Sequence, residues 1–310
     1  MKSIVKRTVR DGIFDEGITL NGFLFLHTLF IQRGRHETTW TILRKFGYND
    51  KVALDEEYLR PHLDTPKGSS VELTIAGYRF LNTLFAKYDI DGDSALCQSE
   101  LDALFSICPK TPSWFEQSFI NRTVETNECG HITLSGFLSI WTLITHVEPK
   151  VSLEYLAYLG YAVHMLEENQ LSAVQVTRDK RRDLQLRQTN RNVFSCHVIG
   201  PQGAGKSSFM RGFLGHDLEK QQKFATNGLR PNSQQAMTSP TMNAASSSGQ
   251  IPPNFGVNSL MIYGQEKYLV CREVDIFSLS DKLTEPELMC DVVCLMYDLS
   301  CPRSFEYIAR

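Results

Sequence analysis

Hydrophobic residues recur every three or four positions through the first part of the chain, which is the spacing of one face of an α-helix. The clearest cases are residues 78–88 and 101–105. The later part differs, because its apolar runs, such as 192–199 and 292–297, have the length and composition of buried strands. The pattern therefore predicts helices first and a mixed α/β domain from residue 192 onward.

The helical part contains an internal repeat. Residues 132–138 (Ile-Thr-Leu-Ser-Gly-Phe-Leu) match residues 18–24 (Ile-Thr-Leu-Asn-Gly-Phe-Leu) except at the fourth position. Each copy indicates a short β-segment followed by a helix, and in the first copy Asn21 is expected to cap a helix over 22–30. The repeat predicts two copies of one helical module.

Each copy ends in a further short helix with an apolar stripe. The stripes are Trp40, Leu43 and Phe46 in the first copy and Leu153, Leu156 and Leu159 in the second. Such a stripe is typical of core packing. A helix lying in a groove of its own module would give the same pattern.

Between the two copies lies an acidic loop, residues 89–100 (Asp-Ile-Asp-Gly-Asp-Ser-Ala-Leu-Cys-Gln-Ser-Glu). It fits the twelve-residue calcium loop of an EF-hand, with carboxylates at positions 1, 3, 5 and 12 and a backbone carbonyl at position 7. The predicted ligands are Asp89, Asp91, Asp93, Ala95 and Glu100. Position 6 is Ser94 rather than glycine, so calcium binding is expected to be weakened at a cost of roughly 1 kcal/mol. The alternative is a solvated acidic loop that caps a helix.

Two other loops have the same helix–loop–helix outline without the ligands. Residues 11–17 and 125–130 lack the ladder of Asp and Asn side chains that calcium needs. We interpret both as non-binding hands that pair with a calcium-binding one. One calcium site per visible module is therefore expected.

The later part is organised around residues 200–207 (Gly-Pro-Gln-Gly-Ala-Gly-Lys-Ser), which fit the phosphate-binding pattern G-x-x-x-x-G-K-[ST]. The loop lies between a predicted strand over 192–199 and a predicted helix over 208–214, which is the context that the motif requires. Its glycines would let backbone N–H groups approach phosphate, while Lys206 would reach the β- and γ-phosphates and Ser207 would bind Mg²⁺. The alternative is a glycine-rich turn before an ordinary helix.

Beyond the loop the sequence is mixed. Residues 223–257 are rich in Ser, Asn, Gln, Pro and Ala and are expected to be disordered. A β-hairpin is predicted over 259–263 and 267–274, with its turn at residues 264–265. Asp275 then follows as a candidate for holding Mg²⁺ through water. The glycine of a D-x-x-G motif is missing after it, so no catalytic residue is assigned.

Composition excludes several classes of protein. A net charge of −3 gives no reason to expect nucleic acid as a partner. The eight cysteines form no C-x-x-C pair, so neither a disulfide framework nor a zinc site is expected. The apolar run 23–31 is too short to span a bilayer, and the chain is expected to carry no membrane anchor of its own. The basic segment 166–191 is interpreted as a solvated linker, with acidic-lipid binding as an unsupported alternative.

In combination, an EF-hand region that leads into a P-loop domain resembles the mitochondrial Rho GTPase (Miro) family. The resemblance rests on residues 22–40, 192–194, 263–268 and 291–294, and it covers nearly the whole chain apart from 223–257. Family members are similar in having an N-terminal GTPase, two EF-hand modules, a C-terminal GTPase and a tail anchor in the mitochondrial outer membrane. They recruit kinesin and dynein adaptors and arrest transport when calcium rises.

The resemblance implies a multidomain fold, with all-α EF-hand modules followed by a truncated α/β Ras-like P-loop domain. The first expected domain, 1–60, is a hidden EF-hand with its ligand-mimic helix. The second, 70–165, is a module with a calcium-binding hand at 78–108, a hidden hand at 115–146 and a ligand-mimic helix at 151–162. The basic linker then covers 166–191, and the incomplete GTPase domain covers 192–310 with its insert at 223–257. The chain is then expected to be a fragment, without the N-terminal GTPase, the first calcium-binding hand and the anchor. We expect its incomplete C-terminal domain to be unstable, because an unpaired sheet edge is exposed.

For the sites, the resemblance implies Ca²⁺ at the five loop positions named above, and GTP or GDP with Mg²⁺ at the P-loop. The implied nucleotide-binding residues are Gln202, Gly203, Ala204, Gly205, Lys206, Ser207 and Ser208, with Mg²⁺ on Ser207. The implied function is a calcium-sensing GTPase on the cytosolic face of the mitochondrial outer membrane, which controls mitochondrial transport, distribution and morphology. Two alternatives stay open: a non-catalytic calcium-sensing adaptor whose P-loop domain binds nucleotide or serves for docking, and a P-loop kinase. The guanine preference rests on the resemblance alone, because no base-reading N/T-K-x-D motif occurs in this sequence.

Overall fold

The computed structural model describes residues 2–15, 17–216, 255–274 and 290–309. The chain forms two compact units, Met1–Pro61 and His62–Arg310. Most of the segment 223–257, and Asp275, lie outside the described residues. The expectations of disorder and of a Mg²⁺ contact at those positions therefore stay predictions.

The first unit is helical around a short hairpin. Its elements are α1 (Lys2–Thr8), β1 (Ile13–Phe14), β2 (Gly17–Ile18), α2 (Leu20–Gln32), α3 (His36–Lys45) and α4 (Glu56–Leu59). Strands β1 and β2 pair antiparallel, and Val5, Leu26 and Phe30 form a small buried core. The predicted helix over 22–30 is confirmed, but its cap is Thr19 rather than Asn21.

The two apolar stripes have different surroundings. In α3, Trp40 and Leu43 are half-buried and Phe46 is 43% exposed, so the expected core packing is not found among the described residues of the first unit. The physical reason is that α3 packs mainly against α2. In the second copy the prediction is confirmed, because Leu153 and Leu156 are fully buried.

The second unit begins with helices around the acidic loop. The elements are β3 (Val71–Leu73), α5 (Ile75–Tyr88), β4 (Ala95–Leu96), α6 (Gln98–Phe105), α7 (Gln117–Thr123), β5 (Ile132–Thr133), α8 (Leu134–Val147), α9 (Pro149–Tyr158) and α10 (Tyr161–Met165), with 3₁₀ turns at Ser113–Phe115 and Gln170–Ala173. Strand β4 pairs antiparallel with β5, with Leu96 opposite Ile132. The acidic loop and its non-binding neighbour are therefore joined side by side.

The segment 166–191 is a solvated linker only in part. It contains β6 (Val174–Val176), which pairs with β3, and α11 (Lys180–Leu186). Arg191 is buried and has two carboxylate partners, with Nε 3.5 Å from Asp183 Oδ2 and Nη1 2.7 Å from Asp291 Oδ1. The interpretation as a solvated linker is wrong for Arg178, Lys180 and Arg191, because they pair with carboxylates, whereas residues 184–190 are exposed as expected.

The later elements form a four-stranded sheet with flanking helices. They are β7 (Val193–Ile199), α12 (Lys206–Phe213), β8 (Phe255–Ile262), β9 (Gln265–Val274), β10 (Val292–Leu295) and α13 (Pro302–Ala309). The strand order is β10–β7–β9–β8, with β7 parallel to both neighbours and β8 antiparallel to β9. The predicted hairpin is confirmed with a correction, because residues 255–257 belong to β8 and not to the insert.

The helices and the sheet of the second unit share one hydrophobic core. Phe80 and Trp141 from the helices belong to the same buried cluster as Val193, Val257 and Tyr268 from the sheet. The helical part therefore covers apolar surface of the sheet. The expected instability of residues 192–310 stays a prediction.

Three helices start in the same way, with the sequence Thr-x-x-Gly. The N-cap Thr side chains of α2, α5 and α8 each accept a hydrogen bond, 3.2 Å long, from the N–H of the glycine three residues later. Each glycine packs closely on a backbone carbonyl. A Cβ on Gly77 would lie 2.5 Å from the oxygen of Ala173, and one on Gly136 would lie 2.5 Å from that of Glu125.

We expect Gly77→Ala to lower the free energy of unfolding by about 2 kcal/mol, because the added methyl group overlaps a backbone atom that cannot move freely. Denaturant unfolding measures the change. The control is Gly212→Ala in α12, where a Cβ would meet no described atom within 4 Å. This control is expected to be neutral or stabilising by up to about 1 kcal/mol. Equal stability of the two variants would contradict the packing argument.

Candidate functional site

Three of the five predicted calcium ligands converge at the end of α5. Oxygen atoms of Asp89, Asp91 and Asp93 all lie within 4.8 Å of one another. Asp89 Oδ1 is buried, and no described residue donates a hydrogen bond to it. A buried carboxylate oxygen without a donor is costly unless a cation compensates it. The donor set and this orphaned oxygen therefore fit a hard, oxygen-preferring cation such as Ca²⁺.

The loop positions these carboxylates with its own backbone. Asp89 Oδ2 accepts a hydrogen bond from Ser94 N at 3.2 Å, Asp91 Oδ1 accepts one from Asp93 N at 3.2 Å, and Asp93 Oδ1 accepts one from Ala95 N at 2.8 Å. Such side-chain-to-backbone bonds are the usual way in which Asp residues shape a turn. Ala95, the predicted carbonyl ligand, lies in β4 opposite Thr133.

Glu100 lies apart from the three-carboxylate cluster. Its Oε1 accepts a hydrogen bond from Ile90 N at 2.8 Å, and its Oε2 accepts one from Cys97 N at 3.0 Å. Both oxygens of the predicted bidentate ligand are therefore bonded to the backbone, and the second bond is half of a capping box at the start of α6. The sequence suggested this second role through the spacing Cys-x-x-Glu, which is unusual because the N-cap residue is a cysteine.

The hydrogen bond from Cys97 N holds the pKa of Glu100 below its usual range, with a further contribution from Ile90 N and burial acting in the opposite direction. A carboxylate whose folded-state pKa is lowered stabilises the fold fully above its ordinary pKa. That contribution is lost as the pH falls through the lowered value. Glu100 is therefore a charged carboxylate at neutral pH.

The expectation for Ser94 is confirmed in its backbone, whose φ of 64° lies in the left-handed region. The strain is present in the loop as described, without any ion. We therefore expect Ser94→Gly to raise the free energy of unfolding of the calcium-free protein by up to about 1 kcal/mol. Calcium affinity is expected to change less than about threefold.

Thermal unfolding without calcium, combined with a calcium titration, measures both quantities for Ser94→Gly. The matched control is Ser99→Gly, because Ser99 lies in α6 and glycine in a helix costs about 0.5–1 kcal/mol. A large gain in calcium affinity without a gain in stability would show that the strain arises only when the ion binds.

The neighbouring loop is closed by side chains rather than by ligands. Asn127 Oδ1 accepts hydrogen bonds from Cys129 N at 3.0 Å and from His131 N at 2.9 Å. His131 Nδ1 lies 3.7 Å from Asp93 Oδ2 of the acidic loop. This arrangement agrees with the interpretation of residues 125–130 as a non-binding partner of the acidic loop.

The P-loop lies where β7 ends and α12 begins. Gly203 and Gly205 have φ values of 85° and 93°, which glycine adopts without strain. A Cβ on Gly200 would lie 2.4 Å from the oxygen of Met296. The glycines of the motif are therefore required by the path of the chain, and the N-terminus of α12 faces this loop, as in helix-terminal phosphate sites.

Lys206 is the buried cation of this loop, only 5% exposed. Its Nζ donates hydrogen bonds to Gly200 O at 2.8 Å and to Pro201 O at 3.3 Å, and it lies 3.6 Å from Glu273 Oε1. Gln202, Gly203, Ser207 and Ser208 are exposed around it. A buried ammonium inside a turn of exposed N–H and hydroxyl groups is chemically suited to a polyphosphate.

Sequence reasoning missed Glu273. The available signal was a glutamate close to the carboxyl end of strand β9, where neighbouring parallel strands lead into the loop. Sequence reasoning instead singled out Asp275, two residues later, which lies outside the described residues.

Within the described parts of the chain, no helix combines the length and the apolar character needed to cross a membrane.

The chain is a multidomain protein that combines EF-hand-associated regions with a mixed α/β sheet. Two family models, both described as "EF hand associated", match residues 1–77 and 114–188. The chain is similar to "Mitochondrial Rho GTPase 1" of Caenorhabditis elegans, with 38% identity over 313 residues that cover 98% of this chain and 46% of the relative. The chain belongs to the mitochondrial Rho GTPase (Miro) family. It spans about half the length of the curated relative that it matches.

Proposed function

We propose that this protein is a calcium-sensing GTPase that binds one Ca²⁺ at residues 89–100 and Mg²⁺ with GTP or GDP at residues 202–208. The proposal is supported by the geometry of the two loops, which lie in one unit with a continuous core. Neither family-model match covers them. The name of the relative supports the nucleotide class.

At the nucleotide loop we assign roles to the chain's own groups. Backbone N–H groups of Gly203 to Ser208 would bind phosphate oxygens, Lys206 would neutralise their charge, and the Ser207 hydroxyl would help to hold the metal. The sheet order, with the loop at the carboxyl end of the central strand β7, supports a Ras-like nucleotide domain. Mg²⁺, when bound, supplies electrostatic stabilisation of the charge on the phosphates.

Helix α5 offers a physical connection between the two loops. The helix ends just before Asp89, while in its first turns Tyr78 stacks on Tyr268 of β9 with ring centroids 5.8 Å apart. Immediately before α5, Glu72 is buried and accepts hydrogen bonds from Asn192 N at 2.9 Å and from Val193 N at 3.1 Å. Movement of α5 on calcium binding would therefore reach both β7 and β9, the strands beside the nucleotide loop.

The family resemblance also supports a proposal about the location and the cellular role of the protein. We place the parent protein on the cytosolic face of the mitochondrial outer membrane, held there by a tail anchor. Its proposed role is to control mitochondrial transport, distribution and morphology by recruiting kinesin and dynein adaptors. Calcium binding at residues 89–100 would be the signal that changes this recruitment.

One observation favours a second candidate function. This candidate is a calcium-sensing adaptor whose P-loop domain binds nucleotide without turnover. The sequence after Val274 reads Asp-Ile-Phe-Ser and lacks the glycine of D-x-x-G. The usual arrangement for orienting the attacking water is then missing. This candidate differs from the first in catalysis and not in binding.

Phosphate release from GTP separates the two candidate functions. It is measured under multiple-turnover conditions with the chain extended to the length of its relatives. The GTPase proposal predicts a slow release that is lost in Lys206→Ala. Saturable GTP binding without any release would replace it with the adaptor. Turnover of ATP with transfer to a second substrate would instead indicate the kinase alternative.

A further inference from the structure

The structure places an acidic side chain beside the phosphate-binding loop. Glu273 is the penultimate residue of β9, and its backbone pairs with Val198 of β7, directly beside the strand that leads into the loop. Its side chain is 17% exposed, and its Oε1 lies 3.6 Å from Lys206 Nζ. The lysine that is expected to bind phosphate is therefore already paired with a carboxylate.

This pairing has an electrostatic consequence for ligand binding. A polyphosphate that approaches Lys206 also approaches the Glu273 carboxylate, and like charges at such short range repel. The lysine that would attract the polyphosphate is meanwhile held by Glu273 and by two loop carbonyls. A divalent cation removes the repulsion, because it gives both the phosphates and the carboxylate a shared positive partner.

We propose that Glu273 is the positioning residue that makes nucleotide binding at this loop depend on a divalent cation. Without the metal, its carboxylate holds Lys206 and repels phosphate. With the metal, the same carboxylate stabilises the cation, directly or through water, and releases Lys206 to the phosphates. The inference rests on the proposed nucleotide binding, but it concerns a residue that the P-loop pattern does not include.

The test compares the affinity for a fluorescent GTP analogue in excess Mg²⁺ and in excess EDTA. We expect Glu273→Gln to reduce the ratio of these two affinities by about tenfold, through tighter binding in EDTA and weaker binding in Mg²⁺. The matched control is Glu266→Gln, an exposed position on the same strand, which should leave the ratio unchanged. Glu273→Asp keeps the charge and should retain most of the metal dependence.

The outcomes separate this inference from the proposed function. Normal binding by Glu273→Gln with an unchanged ratio would overturn the role of Glu273 alone, and would assign the metal dependence to other groups such as Asp275. Absence of binding by the unmodified protein under both conditions would overturn both the nucleotide proposal and this inference. Thermal unfolding confirms that each variant is folded, and Glu273→Ala, which also removes the carboxylate, carries the test if the glutamine variant does not fold.

Discussion

Replacing Lys206 by alanine is expected to weaken GTP binding by at least about thirtyfold. Removing one charged partner from a buried, hydrogen-bonded charge pair costs about 2–5 kcal/mol. Without the metal the loss is aggravated, because Glu273 lies 3.6 Å from Lys206 Nζ and would be left as an unpaired negative charge in the phosphate site. Titration with a fluorescent GTP analogue in excess Mg²⁺ measures the change.

The control for Lys206→Ala is Arg211→Ala, which removes a positive charge from an exposed position on the same helix. We expect this control to bind GTP within about twofold of the unmodified protein, because exposed charges contribute little. In excess EDTA, the double variant Lys206→Ala, Glu273→Gln should bind the analogue more tightly than Lys206→Ala alone, since the unpaired carboxylate is also removed. Unimpaired GTP binding by Lys206→Ala would show that residues 200–207 are an ordinary glycine-rich turn.

The second large effect is expected at the calcium loop. Asp89→Ala should abolish the stabilisation of the protein by calcium, because it removes the buried carboxylate oxygen that has no donor among the described residues. A ligand at one hundred times its dissociation constant stabilises the folded state by about 2.7 kcal/mol, and this gain should disappear. Without calcium the variant should unfold near the temperature of the unmodified protein, since relieved repulsion among the three carboxylates offsets the lost hydrogen bond from Ser94 N to Asp89.

Thermal unfolding in excess calcium and in excess chelator measures the effect of Asp89→Ala. The control is Asp102→Ala, because Asp102 is exposed on α6 and accepts a hydrogen bond only from its neighbour Gln98 among the contacts described. This control should retain the full calcium-induced shift. If calcium stabilised both variants equally, the acidic loop would be a solvated helix cap and the ion would bind elsewhere.

Much of the site could be predicted because its determinants are local in sequence. The three aspartates converge within one loop, so their spacing alone fixes their proximity. The strand–loop–helix around Lys206 is local in the same sense. The backbone strain at Ser94 also follows from its position in the loop.

The errors concern interactions between residues that are far apart in sequence. Glu72 bonds to the backbone of Asn192 across 120 residues, and Arg191 bonds to Asp291 across 100. No periodicity or motif marks such partners, which is why the segment 166–191 was interpreted as solvated. The prediction of core packing for the apolar stripe of α3 was wrong for a related reason. An amphipathic pattern shows which face of a helix is apolar, but it does not show which surface covers that face.

The measurement that tests the central claim most directly is calorimetric titration of the protein with calcium and with GTP in the presence of Mg²⁺, performed in both orders. We predict one saturable calcium event that is lost in Asp89→Ala and one saturable GTP event that is lost in Lys206→Ala. Because α5 connects the two loops, it also predicts that calcium changes the GTP affinity and that GTP changes the calcium affinity by the same factor. A protein that binds neither ligand, or binds each with an affinity unaffected by the other, would contradict the account of a calcium-sensing GTPase.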